Sequence, residues 1–438
     1  MQKLLLPLGL AALVHFPISA HAQANSWASP LPGENAASRI LQPSGSLTLA
    51  AALELAMRSN PDLAVAQREV EASSGGVRQA GIMPNPDITA LVEDRNKATR
   101  TTTLQINQPI ELFGKRSSRI TAAERGRDAA EVELDAKRAD IRATVAAAFY
   151  TLLSTQERHR LAQASVELAQ LATNAASKRV IAGKVSPVEE TRARVAESGM
   201  RIDLAQAVSE LVTARRRLAA TWGSNSPVFD RAAGQVDALP EVATLSTLIR
   251  QLEDSPNLQR ARLEVDRRQA LARVESAKQI PNVTVSVGAK RDEQLGRNQA
   301  ILGLSVPLPL FDRNQGNLQE ALSRTDKARD ELTATKVRLR NELAQQHERL
   351  TTARAEVDML QRDVLPGAQS AYEAATKGFE FGKFGFLDVL DAQRTLFQSR
   401  SQLLRTLTEV HLVAAEIERL VGSTAALNPG LSLKTAKP

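Results

Sequence analysis

Long stretches of the chain place residues suited to a packing interface at alternating spacings of four and three. In the second half the spacing holds over eight positions: Leu339, Leu343, Gln346, Leu350, Ala353, Val357, Leu360 and Val364. In the first half it includes Ile141, Val145, Ala148 and Leu152, and continues at Ala162, Val166, Ala169, Ala176 and Val180. This heptad spacing is typical of helices that pack as left-handed coiled coils. The Pro-free stretches that carry it, 115–181 and 314–365, predict two unusually long helices.

Four shorter segments switch to a period of two. Ile88, Ala90 and Val92 alternate with polar residues such as Thr89 and Glu93. The other three segments contain Leu104 and Ile106; Val283, Val285 and Val287; and Leu302, Leu304 and Val306. Such alternation is typical of half-buried strands, and the polar loops between them predict two β-hairpins. For any single segment, a loop with incidental alternation is the alternative.

The two halves of the chain are similar to each other. Asn60-Pro61-Asp62-Leu63 matches Ser255-Pro256-Asn257-Leu258 at an offset of 195, and Gly183-Lys184 matches Gly382-Lys383 at an offset of 199. Matched landmarks in the same order indicate one structural unit used twice. Each half is predicted to contain a Pro-broken helix, a hairpin, a long helix, a turn and a helix. We divide the chain into a signal peptide (1–22), an N-terminal extension (23–46), a first repeat (47–223), a linker (224–240), a second repeat (241–422) and a C-terminal tail (423–438).

The N-terminus has the features of a bacterial secretory signal peptide. Lys3 precedes an apolar stretch, Leu4 to Ile18, and small-x-small cleavage sites follow that end at Ala22 or Ala24. Pro7 and Pro17 disfavour the alternative of a buried helix. Because no later stretch approaches about 18 consecutive apolar residues, no transmembrane helix is predicted. We expect an exported protein that is either periplasmic or inserted in the outer membrane as strands.

Composition excludes several classes of chemistry. The chain has no Cys, which excludes disulfides, thiolate metal sites, cysteine nucleophiles and a lipid anchor attached through cysteine. The three His of the mature chain are widely separated, and no phosphate-binding loop or nucleophile elbow is present. We therefore expect no enzyme activity and no cofactor. The net charge of +7 is interspersed, which together with export disfavours a nucleic-acid partner.

The hairpins limit how the chain could meet a membrane. Strands of about ten residues are long enough to cross a bilayer when tilted. Four strands cannot close a barrel, and open sheet edges are not tolerated in hydrocarbon. Two chains would supply eight strands and three would supply twelve, with small and polar residues facing a water-filled lumen. Neither hairpin carries the usual Trp/Tyr girdle, so a soluble sheet capping a coiled coil is the alternative.

Two stretches carry a family resemblance. Gln108-Pro-Ile-Glu-Leu-Phe-Gly-Lys-Arg116 follows the second strand, and Gly382-Lys-Phe-Gly-Phe-Leu-Asp-Val-Leu-Asp-Ala392 forms the second helical turn. With the doubled layout, they resemble the TolC-type outer membrane efflux proteins, and the first stretch is most similar to the cobalt–zinc–cadmium branch. The resemblance implies a mainly α fold with a small β part: a coiled-coil tunnel and a twelve-stranded transmembrane barrel shared by a homotrimer. It also implies contact with outer membrane lipid, a periplasmic adaptor and a proton-driven inner-membrane pump of the RND type.

Candidate site residues lie at the two helical turns. Asp388 and Asp391 are three residues apart, which puts both carboxylates on one helix face. In a trimer they would form two rings, and crowded carboxylates attract cations. The equivalent of Asp388 in the first half is Glu189, whereas Arg192 occupies the position of Asp391. The alternative is a pair of N-terminal carboxylates favoured by the helix dipole.

The turns themselves are the second candidate site. Gly183 and Gly382 would end the preceding helices through left-handed backbone, which by itself explains their presence. The resemblance implies that the two turns contact an adaptor; their residues are Gly183, Lys184, Gly382, Lys383 and Gly385. Where relatives carry a basic latch residue, this chain has Phe384.

These features predict a passive channel that exports divalent heavy-metal cations without covalent chemistry. Organic compounds are an alternative cargo for the same fold. A soluble periplasmic coiled-coil adaptor is the alternative from another class of protein.

Overall fold

The computed structural model describes residues 44–241 and 243–422. The predicted signal peptide, most of the predicted N-terminal extension and the predicted C-terminal tail lie outside the described residues. Within the described residues, no helix combines the length and apolarity needed to cross a membrane.

Helices account for most of the described chain. The first half contains α1 (Leu49–Ser59), α2 (Pro61–Ala80), α3 (Lys115–Ile181) and α4 (Pro187–Ala220). The second half contains α5 (Leu245–Leu252), α6 (Pro256–Lys278), α7 (Gln315–Met359), α8 (Leu365–Glu380) and α9 (Phe386–Val421). The mainly α fold class predicted from the sequence is confirmed, and α3 has the predicted 67 residues.

The helix breaks arise from local capping at proline. Pro61 and Pro256 each occupy the first turn of a helix, where a missing N–H has no cost. Asn60 Oδ1 accepts hydrogen bonds from the backbone N–H of Asp62 at 2.8 Å and of Leu63 at 3.2 Å. In the second half Ser255 Oγ accepts from the N–H of Leu258 at 3.4 Å. The repeated Asn/Ser-Pro signal therefore breaks both opening helices in the same way.

The heptad positions are mostly buried, but Ala148, Val180 and Gln346 are half-buried and Val364 is exposed. Leu343, Leu350 and Val357 are buried as predicted, whereas Val364 is 43% exposed, so its assignment to the packing stripe was wrong. Residues 360–364 form a π-turn between α7 and α8, in which the N–H of Leu365 bonds to the carbonyl of Leu360. The wider turn accommodates Pro366, which cannot continue an ordinary α-helix. It inserts one residue into the pattern, so the next buried position is Ala368.

One antiparallel sheet contains four strands, which are, in spatial order, β2 (Asp87–Glu93), β3 (Thr101–Ile110), β5 (Val283–Asp292) and β6 (Arg297–Ser305). The two predicted hairpins are thus confirmed, and β3 pairs with β5 to join them. Within the described chain, β2 and β6 are the free edges of this sheet.

The register sorts the side chains of the sheet onto two unlike faces. Ile88 opposes Ile106, Ile106 opposes Val287, and Val287 opposes Leu302, so one face is apolar across all four strands. This face is exposed in the single chain, with Leu302 at 82%. The opposite face is polar: Asn107 donates hydrogen bonds to the Asp87 carboxylate at 2.8 Å and to the Thr89 hydroxyl at 2.9 Å.

A small parallel sheet was not indicated by the sequence. Strand β1 (Gly45–Leu47) pairs with β4 (Phe229–Ala232), which lies within the predicted linker. Leu47 and Trp222 are fully buried beside it, and Trp222 meets the Phe229 ring edge-on at 6.0 Å. The linker is therefore an ordered segment packed against the end of the first repeat.

His411 of α9 is buried in the helical part of the protein. Its ring stacks on Tyr150 of α3 at 3.7 Å between centroids, and its Nε2 lies 2.9 Å from the carbonyl of Val236. Nε2 must carry the proton to make this bond, which leaves Nδ1 as a buried acceptor without a partner. Burial is the main cause that lowers the pKa of His411 below 6.5.

This environment predicts loss of stability in mild acid. Because the pKa of His411 is lower in the folded state than in the unfolded state, unfolded chains bind more protons below pH ~6.5. Stability should therefore fall as the pH drops from that value through the folded pKa, by at most about 1.4 kcal/mol per pH unit. Thermal unfolding at pH 7.5 and 5.5 would measure this. His411→Gln, which keeps a donor for Val236, should weaken the pH dependence.

Candidate functional site

Two helical turns, α3–α4 and α8–α9, form the end of the molecule that the sequence predicted as its tip. Gly183 and Gly382 adopt φ values of 66° and 73°, in the left-handed region that glycine enters without strain. The same closing bond follows each glycine. Lys184 N–H donates to the carbonyl of Arg179 at 2.9 Å, and Lys383 N–H donates to that of Gly378 at 2.8 Å. Both lysines are exposed.

The predicted acidic residues occupy equivalent places after these turns. Glu189 and Asp388 are each the third residue of their helix, α4 and α9. Asp388 Oδ2 accepts a hydrogen bond from the N–H of Gly385 at 2.8 Å, so this carboxylate caps its own helix. The helix-capping role considered for Asp388 is therefore present in the single chain.

Asp391 lies one turn further along α9 and is exposed, as is Asp388. Among the described residues, no hydrogen bond or ion pair joins Glu189 to either aspartate. Glu190, the neighbour of Glu189, is paired with Arg194 at 2.6 Å, and this bond is the main reason that its pKa is lowered. A ring of carboxylates would thus require further copies of the chain and stays a prediction.

A contact between the two turns was missed by the sequence analysis. The Arg179 guanidinium of α3 lies 3.8 Å from the centroid of the Phe379 ring of α8 and donates to the Phe379 carbonyl at 3.0 Å. Phe379 in turn packs 5.6 Å from Phe386 of α9. Phe386 is buried against Ala176 and Ala193 of the first repeat. This cluster holds the two helical hairpins of one chain together at their tips.

Departure from repeat symmetry was the available signal for this contact. At the offset of 199, Arg179 corresponds to Gly378, so the first repeat has a long cationic side chain at a position where the second repeat has no side chain. The Phe384 ring fills the space beside Gly378 and would overlap a Cβ there. The Phe384 ring therefore covers Gly378 at the second turn, at the position where relatives were expected to carry a basic residue.

Loss of the Arg179 side chain should loosen the tips. Cation–π contacts and hydrogen bonds to charged groups each contribute about 1–2 kcal/mol in partly buried sites. We expect Arg179→Ala to raise the rate of amide hydrogen exchange at the two turns about tenfold, which corresponds to about 1.4 kcal/mol. Lys178→Ala, an exposed neighbour, is the matched control and should behave like the unaltered protein. Equal exchange rates in the two variants would contradict a role of the contact in holding the tips of the two helical hairpins together.

Comparison with known proteins identifies the family to which this chain belongs. Residues 52–224 and 248–423 match the family described as "Outer membrane efflux protein". The chain belongs to the outer membrane efflux protein family. The two matched stretches together contain the sheet, both long helices and both turns of the tip. This membership decides against the alternative of a soluble periplasmic adaptor.

Relatives within the outer membrane efflux protein family include metal-resistance proteins. The chain is 48% identical over 422 residues to the cobalt-zinc-cadmium resistance protein CzcC of Cupriavidus metallidurans, which covers 96% of this chain and 100% of that relative. It is 27% identical to the nickel-cobalt-cadmium resistance protein NccC of Alcaligenes xylosoxydans xylosoxydans, over 65% of this chain and 66% of that one.

Solved structures share the fold at low sequence identity. A membrane protein from Pseudomonas aeruginosa superposes with a TM-score of 0.76 at 21% identity, over 85% of this chain and 92% of its own. The transmembrane channel protein CusC superposes with a TM-score of 0.73 at 18% identity, over 88% and 96%. These likenesses show that the fold is that of outer membrane channels.

Proposed function

We propose that the protein is the outer-membrane channel of an efflux system that exports divalent heavy-metal cations. The observation that carries this proposal is the 48% identity to a cobalt-zinc-cadmium resistance protein over the whole length of that relative. Relatives at lower identity are named for nickel, cobalt and cadmium resistance. The proposed cargo is therefore a divalent transition-metal ion.

The sheet supports a channel built from three copies. Four strands with one apolar and one polar face, and with free edges at β2 and β6, cannot enclose a lumen alone. Three copies would pair β6 of one chain with β2 of the next and close a twelve-stranded barrel. The apolar face would then contact outer membrane lipid, and the polar face with Asn107 and Thr89 would line the lumen.

The helices would extend this barrel into the periplasm as a tunnel. The exposed turns at Gly183-Lys184 and Gly382-Lys383-Phe384-Gly385 would contact a periplasmic adaptor, and an RND-type inner-membrane pump would supply the energy. Asp388, Asp391 and Glu189 would surround the narrow end of the tunnel, where clustered carboxylates favour cations. The channel itself would perform no covalent chemistry and need no cofactor.

A metal-sensitivity profile tests the cargo. We expect a strain that lacks this chain to become sensitive to cobalt, zinc and cadmium and to recover when the intact chain is restored. Sensitivity to lipophilic dyes and detergents should not change. The opposite profile, with unchanged metal tolerance and new dye sensitivity, would replace metal ions with organic compounds as the cargo.

A further inference from the structure

Ten charged residues lie at the end of the sheet that is opposite the helices. There, residues 94–100 join β2 to β3 and residues 293–296 join β5 to β6, whereas the other strand ends connect to the helices. We call residues 93–101 and 290–298 the mouth. Its four carboxylates are outnumbered by six cations: Arg95, Lys97, Arg100, Lys290, Arg291 and Arg297. The mouth of one chain therefore has a net excess of two positive charges.

The carboxylates of the mouth are held within it, whereas most of its cations are not. Each carboxylate accepts a hydrogen bond from a nearby group: Glu93 from Thr101 at 3.0 Å, Asp94 from Thr99, Asp292 from Leu295 at 3.0 Å and Glu293 from Arg291 at 3.5 Å. Among the described residues, four cations make no side-chain hydrogen bond or ion pair: Arg95, Lys97, Arg100 and Arg297. Their charges are free to act on ions in the surrounding water.

The two hairpin tips form one connected surface. The N–H of Glu293 donates to the carbonyl of Arg100 at 3.1 Å, and this bond joins the two loops. The longer loop is closed by the bond between Thr99 and Asp94 and has only seven residues, and the other loop has four. The cations of the mouth therefore stay near the ends of the strands.

The register places two of these cations on the polar face of the sheet. Lys290 pairs with Thr103, which alternates onto the same face as Asn107. Arg297 pairs with Asp292, which is two residues beyond Lys290 and so shares its face. In the proposed trimer this face lines the lumen. Lys290 and Arg297 would then lie where the lumen opens to the outside.

Three copies of the mouth would surround the opening with a net six positive charges. A divalent cation is repelled twice as strongly as a monovalent one by the same potential, so its local concentration falls more steeply. Such a ring acts over a Debye length, which is about 30 Å at 0.01 M ionic strength and about 3 Å at 1 M. At the other end of the proposed channel, Asp388 and Asp391 would attract cations.

We propose that the mouth is an electrostatic barrier that keeps divalent cations from returning through the channel. The barrier rests on the proposed function, because it needs hairpin tips outside the cell and a cationic cargo. Outward transport would be driven by the pump, whereas return is passive diffusion that depends on the ion concentration at the opening. A barrier that lowers this concentration therefore slows return more than export.

Single-channel currents carried by Co²⁺ test the barrier. The full-length protein would be inserted in planar bilayers of uncharged lipid, with a cobalt salt on one side at an ionic strength of about 10 mM, where screening is weak. The substitutions Arg95→Gln, Lys97→Gln, Arg100→Gln and Arg297→Gln would be combined, which turns the net charge of three mouths from six positive to six negative. We expect the Co²⁺ current that enters through the mouth to rise about threefold or more, and the current that enters through the tip to change little.

Two controls separate charge from structure. The combination of Arg95→Lys, Arg100→Lys and Arg297→Lys keeps every charge, so it should leave both currents unchanged. At about 1 M salt, where the Debye length is about 3 Å, the glutamine variant should match the unaltered protein in both directions.

Equal currents through the mouth in the glutamine variant and the unaltered protein would overturn the barrier and leave the channel intact. A rise of the same size in both directions would also overturn it, because the substitutions would then have changed the width of the pore. A rise that requires lipopolysaccharide in the bilayer would overturn it by assigning the cations to lipid phosphates. Failure of the unaltered protein to form channels would instead count against the proposed function.

Discussion

Replacing Gly288 with alanine should abolish assembly of the membrane barrel. A Cβ at this position would lie 2.5 Å from the carbonyl oxygen of Leu104 and 2.6 Å from the Cβ of Gln105. Both are on β3, where Gln105 lies directly opposite Gly288 in the pairing that joins the two hairpins. Neither the backbone oxygen nor a Cβ can move aside cheaply, so this pairing must open or shift register. We expect little or no heat-modifiable oligomer in membranes analysed on unheated gels.

Gly303→Ala is the matched control for this prediction. Gly303 lies on the neighbouring strand, where an added Cβ would meet the Cβ of Ser286 at 3.4 Å, an ordinary contact distance. We expect this variant to assemble like the unaltered protein. If Gly288→Ala assembles equally well, the pairing of β3 with β5 in the membrane differs from the register described above.

Neutralising the acidic residues at the start of α9 should weaken cation selectivity. In the proposed trimer, Asp388→Asn with Asp391→Asn would remove six negative charges from the narrow end of the tunnel. An asparagine still accepts the hydrogen bond from Gly385 N–H, so the helix start should persist. At about 1 kcal/mol per close charge in a water-like dielectric, loss of both rings should lower cation-over-anion permeability about tenfold or more. Reversal potentials across a salt gradient would measure this ratio.

The control for charge alone is Asp326→Asn on α7, an exposed carboxylate paired with Arg329 at 2.8 Å. It should leave the permeability ratio unchanged. Block by added divalent cations should weaken in parallel with selectivity in the α9 variant. Unaltered block and selectivity would mean that Asp388 serves only as a helix cap and that Asp391 lies away from the pore.

The helices and strands were predictable because their signals are local. Pro61 and Pro256 mark breaks through a fixed φ and a missing N–H, and these effects need no tertiary context. Alternation in the hairpins sorted the two faces of the sheet correctly. The pairing of β3 with β5 does not follow from such local signals, because it joins residues that are far apart in the sequence.

The features that sequence analysis missed depend on tertiary contacts. Val364 fits the heptad spacing by residue type, but the π-turn before Pro366 rotates it out of the interface. Strand β4 has only four residues, and its partner β1 has three, too few to show a period. The contact of Arg179 with Phe379 joins residues of similar exposure and ordinary type, so only the broken repeat symmetry pointed to it.

The π-turn has a consequence for the geometry of the whole repeat. Together, α7, the turn and α8 form a run from Gln315 to Glu380, nearly as long as α3 despite an internal proline. Because α3 and the run from Gln315 to Glu380 have almost the same length, the two helical hairpins end at the same level, where Arg179 contacts Phe379. In the proposed trimer, three chains would present six nearly equivalent helical turns to a docking partner, and a nearly sixfold-symmetric binding surface would arise from threefold assembly.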